Sequence, residues 1–216
     1  MVKEMGCDIH LFAEGLLRKY PNQEKMWINI DHWYRENGWA EIMLTENEGF
    51  NYTDLIDGSR DYGIFYLLAG VRGNEKWKSY PPIANPKGLP EQMDSFIRKF
   101  TTEYTEQENS DFHDASYLTL RELKDSGYGS IMRLQGWVYE DEHRKAVKQI
   151  GDGQKYQLGF VDVKCQDQVE QGRVLKEWNG YLNLNLTYMI ERMEELRKER
   201  RIDNDDEIRI VFWFDN

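Results

Sequence analysis

Residues 207–214, Glu-Ile-Arg-Ile-Val-Phe-Trp-Phe, alternate Ile208, Ile210, Phe212 and Phe214 against Arg209, Val211 and Trp213. The second face is itself partly apolar, so both faces need cover, and the segment reads as a central strand. Its partners are sought at the other end of the chain. Residues 5–13, Met-Gly-Cys-Asp-Ile-His-Leu-Phe-Ala, put Cys7, Ile9 and Leu11 on one face and Asp8, His10 and Phe12 on the other. That spacing predicts a strand with a polar face. A further strand is expected over 26–33, with Met26, Ile28 and Ile30 on one side, after a turn around Pro21, Asn22 and Gln23. These two strands are expected to pair antiparallel, through a connection longer than a tight hairpin.

Helices are expected where apolar residues recur at helical spacing. Ile64, Phe65, Leu67, Leu68 and Val71 mark a short one over 60–71, with Ser59 as its cap. Phe96, Ile97 and Phe100 mark another over 94–104. Thr119-Leu-Arg-Glu122 fits a capping box, which starts a helix at Leu120. Leu182, Leu186, Met189, Ile190, Met193 and Leu196 mark the longest, over 182–199, closing in the basic run 197–201 that suits a C-terminal dipole. Between these lie a loop over 45–58 and a proline-punctuated loop over 77–90. Strands are expected over 132–140 and 157–165, around a charged patch at 140–145. Together the elements predict an α+β fold: a mixed or mainly antiparallel sheet with the 182–199 helix packed on one face, the 131–165 strands being a small peripheral insertion. With 216 residues, against roughly 150 per domain, a single domain over 1–216 is expected.

The 39 acids exceed the 28 bases and leave a net charge of -11, which disfavours general nucleic-acid binding. Acidic mimicry of DNA is the weakest reading of that charge, because the bases are interspersed among the acids. No apolar run approaches the roughly 18 residues of a membrane span, and the first residues lack the apolar core of a secretion signal. Cys7 and Cys165 are the 2 cysteines, too few for a disulfide framework. A soluble, cytoplasmic protein is expected.

Asp8 and His10 leave the same face of a strand with Cβ atoms roughly 7 Å apart, close enough to share one ion. A divalent metal such as zinc needs a third ligand, and His113 in the His113-Asp114 pair completes the minimum set Asp8, His10 and His113, with Asp31-His32 a second option. Without a metal the same groups form an acid–base set in which a carboxylate fixes one imidazole tautomer. The plain alternative is that these side chains satisfy one another and the backbone. Arg60 and Asp61 open a helix, where an arginine adds two parallel donors to a phosphate or carboxylate; Arg72 and Ser116 are further ligand-binding candidates. A helix-start ion pair explains the first two equally well. No phosphate loop of the P-loop type occurs, since the glycines at 70–73 and 127–129 lack the Lys-Ser/Thr ending.

Several blocks carry a family likeness: Met5-Gly-Cys-Asp-Ile-His10, Arg60-Asp-Tyr-Gly-Ile-Phe65, Leu68-Ala-Gly-Val-Arg72, Lys87-Gly-Leu-Pro90, His113-Asp-Ala-Ser-Tyr-Leu-Thr-Leu120 and Arg209-Ile-Val-Phe-Trp-Phe-Asp-Asn216. Together they resemble an uncharacterised family of bacteriophage and prophage proteins that begin Met-Gly-Cys-Asp-Ile-His. The resemblance implies a phage origin and a role in the host bacterial cytosol, and assigns no catalytic residue. The blocks contain Asp8, His10, Arg60, His113 and Ser116. If these converge, they form a pocket for a small phosphorylated, nucleotide-type molecule, with His10 and His113 as acid/base groups or metal ligands, Asp8 as orienter and Arg60 as clamp. The expected activity is then that of a hydrolase or phosphodiesterase. The alternative is a non-catalytic counter-defence protein that sequesters a nucleotide signal or blocks a host defence protein. The two-imidazole pocket requires His10 and His113 to face one cavity; the alternative can use the same pocket or the aromatic surface.

Overall fold

The computed structural model describes residues 6–18, 22–30, 60–72, 78–106 and 111–215. The expectations for Asp31, His32, Ser59 and the 45–58 loop lie outside these residues. The fold is α+β. In chain order its elements are β1 (Asp8–Leu17), β2 (Met26–Asn29), α1 (Tyr62–Ala69), α2 (Ser95–Thr105), β3 (His113–Thr119), α3 (Leu120–Asp125) and β4 (Met132–Val138). Then follow α4 (Glu140–Gly151), β5 (Val161–Asp162), β6 (Val174–Gly180), α5 (Leu184–Glu199) and β7 (Ile208–Asp215). The chain divides into two compact units, one formed by 1–60, 86–121 and 191–216, the other by 61–85 and 122–190. The strands expected at 131–165 fall within the second.

The first unit is built on an antiparallel sheet of order β2-β1-β7-β3. β7 is flanked on both edges, and its residues Ile208 to Phe214 are all buried, which is why its sequence is apolar on both faces. Opposite residues of an antiparallel pair share a face, so the register places Asp8 beside Asp215, His10 beside Trp213, Phe12 beside Val211 and Glu14 beside Arg209 on one side. That side is polar at its two ends and apolar between them. α2 covers it, burying Phe96 and Ile97 against Phe12, Val211 and Trp213, with Phe100, Phe112 and Tyr117 at the margin. Burial of each large side chain of this kind contributes about 2 kcal/mol.

Asp94 ends the loop before α2 and caps it, its carboxylate accepting from the Phe96 amide at 2.8 Å. The Asp94 amide donates in turn to Glu14 at 2.6 Å. Glu14 and Arg209 form a buried cross-strand ion pair, Nε to Oε2 2.7 Å, and Arg209 also donates to the Gln92 carbonyl. The Arg209 guanidinium is sandwiched between rings, 3.7 Å from the centroid of Trp27 and 5.3 Å from that of Tyr117. Burial pushes the Glu14 carboxyl up, while Arg209 pulls the other way. This pair fastens the start of α2 to the sheet.

The second unit holds a smaller antiparallel sheet of order β5-β4-β6. Phe160 and His143 meet the Trp178 ring edge-on. Gly136 lies where a Cβ would stand 2.9 Å from the Val161 carbonyl oxygen, so the β4–β5 approach requires glycine there. Buried Asp162 accepts three hydrogen bonds of 2.8 Å, from the Ser79 amide and hydroxyl and the Lys164 amide. The segment expected as a strand over 157–165 pairs only at Val161–Asp162. The charged patch at 140–145 is the first half of α4, whose first turn carries Glu140, Asp141 and Glu142, the favourable sign for a helix start. Among the described residues no helix is long and apolar enough to cross a membrane.

Candidate functional site

The period of two along β1 sends Asp8 and His10 to the face that α2 covers, and the register brings Asp215 and Trp213 alongside. The His10 ring stacks on Trp213, with centroids 5.2 Å apart and planes 11° apart. Tyr104 arrives from the last turn of α2, eight residues beyond Phe96 on the same helical stripe, with its ring 4.9 Å from that of His10. His10 Nε2 lies 3.2 Å from Asp215 Oδ2, and the Tyr104 hydroxyl donates to the same oxygen. The His10 and Asp215 side chains remain 26% and 21% exposed. A carboxylate accepting at Nε2 places the imidazole proton there and leaves the lone pair on Nδ1. Burial pushes the Tyr104 phenol up, and its bond to the Asp215 carboxylate adds to this, so Tyr104 stays a neutral donor.

Beside this trio the Arg60 fork holds Asp8, Nε to Oδ1 2.6 Å and Nη2 to Oδ2 2.9 Å. Arg60 holds the Asp8 carboxyl below the usual range, against a smaller effect of burial. The guanidinium lies against Gly6, where a Cβ would come within 2.8 Å of its Cζ. A side chain at position 6 would therefore displace it. Asp8, His10, Arg60, Tyr104 and Asp215 gather at one end of the sheet in the first unit. They comprise a partly exposed imidazole fixed by a carboxylate, a phenol donor and a paired guanidinium. Chemically, the set can accept a proton at Nδ1 and offer a guanidinium to an anion.

The expected partner of His10 is elsewhere. His113 stands opposite Phe214 and stacks on it, centroids 6.0 Å apart, while its neighbour Phe112 stacks on Trp213 at 5.7 Å. Consecutive strand residues point to opposite faces, so His10 and His113 leave opposite sides of the sheet. The expectation of two imidazoles in one cavity is corrected accordingly. His113 Nδ1 is instead 2.7 Å from Asp114 Oδ2, next to a bulge at which Asp114 takes φ 49°. Among the described residues no three His, Cys, Asp or Glu side chains gather as a metal-holding group, so the set Asp8, His10 and His113 is not formed.

Two of the three further candidates have other work. Ser116 is buried opposite Phe212, and its hydroxyl accepts from the Lys87 amide at 3.1 Å, pinning the loop before α2. Asp61 belongs to the second unit and caps α1. One of its oxygens accepts from the Gly63 and Ile64 amides at 2.8 and 3.3 Å, the other from Asn183 and Asn185 at 3.1 and 2.8 Å. With four bonds made, its capacity as a ligand group is spent. Arg72 lies in the second unit beyond α1, with φ 52°. Tyr104 and Asp215 escaped the sequence reading. The signals were present: Asp215 extends the Val211–Trp213 alternation by one step, and Tyr104 lies one turn beyond Phe100.

The chain matches no known protein-family model, and no solved structure matches it. Among curated proteins it is 28% identical over 99 residues to malonyl-(acyl-carrier protein) O-methyltransferase 2 of Ilyobacter polytropus, across 45% of this chain. The aligned part spans 35% of that methyltransferase.

Proposed function

We propose that the protein is a phage-encoded accessory protein of the host bacterial cytosol whose His10 centre binds and hydrolyses a small phosphorylated molecule of nucleotide type. The observation that carries this reading is the His10 Nε2 to Asp215 hydrogen bond on a partly exposed imidazole, which leaves Nδ1 as the proton acceptor. A phosphoryl group presents two oxygens as a carboxylate does, so it exchanges with Asp8 on the Arg60 fork. Nδ1 then takes a proton from water. The hydroxide oxygen bonds to phosphorus, the bond to the leaving oxygen breaks, and the imidazolium returns the proton to that oxygen. Asp215 balances the transient positive charge. Methyl transfer is not assigned, because the partial likeness spans too little of the methyltransferase.

Retention without turnover is the second reading, and the position of His113 favours it. With His113 on the far face, that imidazole does not serve as a separate acid for the leaving group. The protein would then sequester a nucleotide signal or block a host defence protein. Incubation with a panel of nucleotides and cyclic dinucleotides, followed by phosphorus NMR of the ligand released on heating, separates the readings. Altered ligand with the wild type and intact ligand with His10→Ala support hydrolysis; intact ligand with both supports retention. Absence of binding across the panel refutes both ligand readings and leaves the host-protein blocker.

A further inference from the structure

At the other end of α2 from Tyr104, the first unit encloses a cleft of about 1200 Å³ between the ends of β1 and β2 and the start of α2. Four cationic side chains line it, Arg18, Lys25, Arg98 and Arg200, together with the Trp27 ring. Acids outnumber bases in the chain, 39 to 28. Lys25 pairs with two of them, at 2.8 Å from Asp203 and 2.7 Å from Glu207. Arg98 and Arg200 make no ion pair among the described residues: Arg98 donates to the neutral Glu91 carbonyl, and Arg200 has a buried Nε with no hydrogen-bond partner. The lining carboxylates do not neutralise them. Asp94 is turned to the Phe96 amide, and Glu24 and Glu91 form no ion pair with either guanidinium. Trp27 is held by the Arg209 guanidinium 3.7 Å from its centroid, so the indole is fixed before any ligand arrives.

We propose that this cleft binds a nucleoside diphosphate, its phosphate oxygens on Arg98 and Arg200 and its base on Trp27. Two guanidiniums without carboxylates match the charge and the oxygen geometry of a diphosphate, and a fixed indole offers a stacking surface to a planar base. The site is separate from the His10 centre and stands or falls independently of the activity proposed there.

Calorimetric titration of the full chain with ADP and with pyrophosphate tests it. ADP is expected to bind about 10-fold tighter than pyrophosphate, the difference arising from stacking. Arg98→Gln combined with Arg200→Gln should weaken ADP about 100-fold, as expected for two charge-assisted contacts. Trp27→Leu should bring ADP to the affinity of pyrophosphate. Saturation transfer on the unmodified protein, from indole to base protons, gives a readout that no variant's folding can obscure. Lack of ADP binding at millimolar concentration, equal affinity for both ligands, or ADP binding kept by the arginine variant and lost in His10→Ala would each overturn the proposal.

Discussion

His10 and His113 stack on consecutive residues of β7, Trp213 and Phe214, and for that reason leave opposite faces of one sheet. One residue of register separates two imidazoles that a linear reading would pool. Each has its own carboxylate, Asp215 for His10 and Asp114 for His113. The pairs are therefore two separate hydrogen-bonded couples, and a change at one should leave the hydrogen bond of the other untouched. Imidazole nitrogen shifts measured by NMR check this. Asp215→Asn should change the tautomer of His10 and leave that of His113 in place.

Tyr104 supplies a pH signature. Burial, followed by its bond to the Asp215 carboxylate, raises the phenol in the folded state above its ordinary value of 10.0. The unfolded chain ionises this tyrosine first as pH rises. The stabilisation is therefore complete below about pH 10 and is lost progressively above it, as the pH climbs toward the folded value. Tyr104→Phe should flatten the alkaline decline of the melting temperature and leave its slope between pH 6 and 9 unchanged. An equal decline in both proteins would contradict this account of the phenol.

The Glu14–Arg209 pair sets a contrast between one charge removed and two. Glu14 is 0% and Arg209 5% exposed, so either single truncation leaves a charge in the interior with its partner gone. Glu14→Leu or Arg209→Met alone should cost about 3–5 kcal/mol in urea unfolding. The double variant should recover much of that loss, because apolar side chains of similar volume can replace a buried pair. Recovery will be incomplete: the Asp94 amide and the Gln92 carbonyl lose the partners that now fasten α2.

Much of the fold was readable where burial writes a clean period. β7 alternates without a break, and α2 carries Phe96, Ile97 and Phe100 on one stripe, so both emerged near their observed limits. β3 did not, because the bulge between His113 and Ser116 breaks the alternation and polar residues occupy its start. α4 was hidden for a different reason. Ala146 is the buried residue among its twelve, so it has almost no apolar stripe to see. The site follows the same logic. The shared face of Asp8 and His10 is a local property of one strand, whereas the Asp215 contact spans 205 positions and depends on strand order, which no local pattern encodes.

Asp61 anchors local structure through one carboxylate that serves two backbone amides and two asparagine side chains. Loss of a helix cap costs about 1 kcal/mol, and the Asn183 amide, on a buried residue, would also lose its acceptor. Asp61→Ala should therefore lower stability by about 2–3 kcal/mol in chemical unfolding. The proposed phosphate exchange at Arg60 belongs to the other unit and should be unaffected. A loss of ligand binding in a folded Asp61→Ala protein would return Asp61 to the binding site.

Asp8 and an incoming phosphate compete for the same guanidinium fork, and this gives the proposed ligand site its most direct test. Asp8→Asn removes the charge that holds Arg60 while keeping the shape, so Arg60 becomes available without first breaking an ion pair. The variant should bind the phosphorylated ligand more tightly, by about 3- to 10-fold, as expected for an exposed charge pair of modest strength. Arg60→Gln should weaken it. The acid limb adds a second reading: Asp8 is depressed by Arg60, so its stabilising share is present above pH 3.8 and fades as pH falls through the lower folded value. High salt should shrink both effects, because the Arg60 and Asp8 side chains are 57% and 48% exposed. If Asp8→Asn instead weakens binding as much as Arg60→Gln does, the carboxylate contacts the ligand itself, and the exchange at Arg60 is wrong.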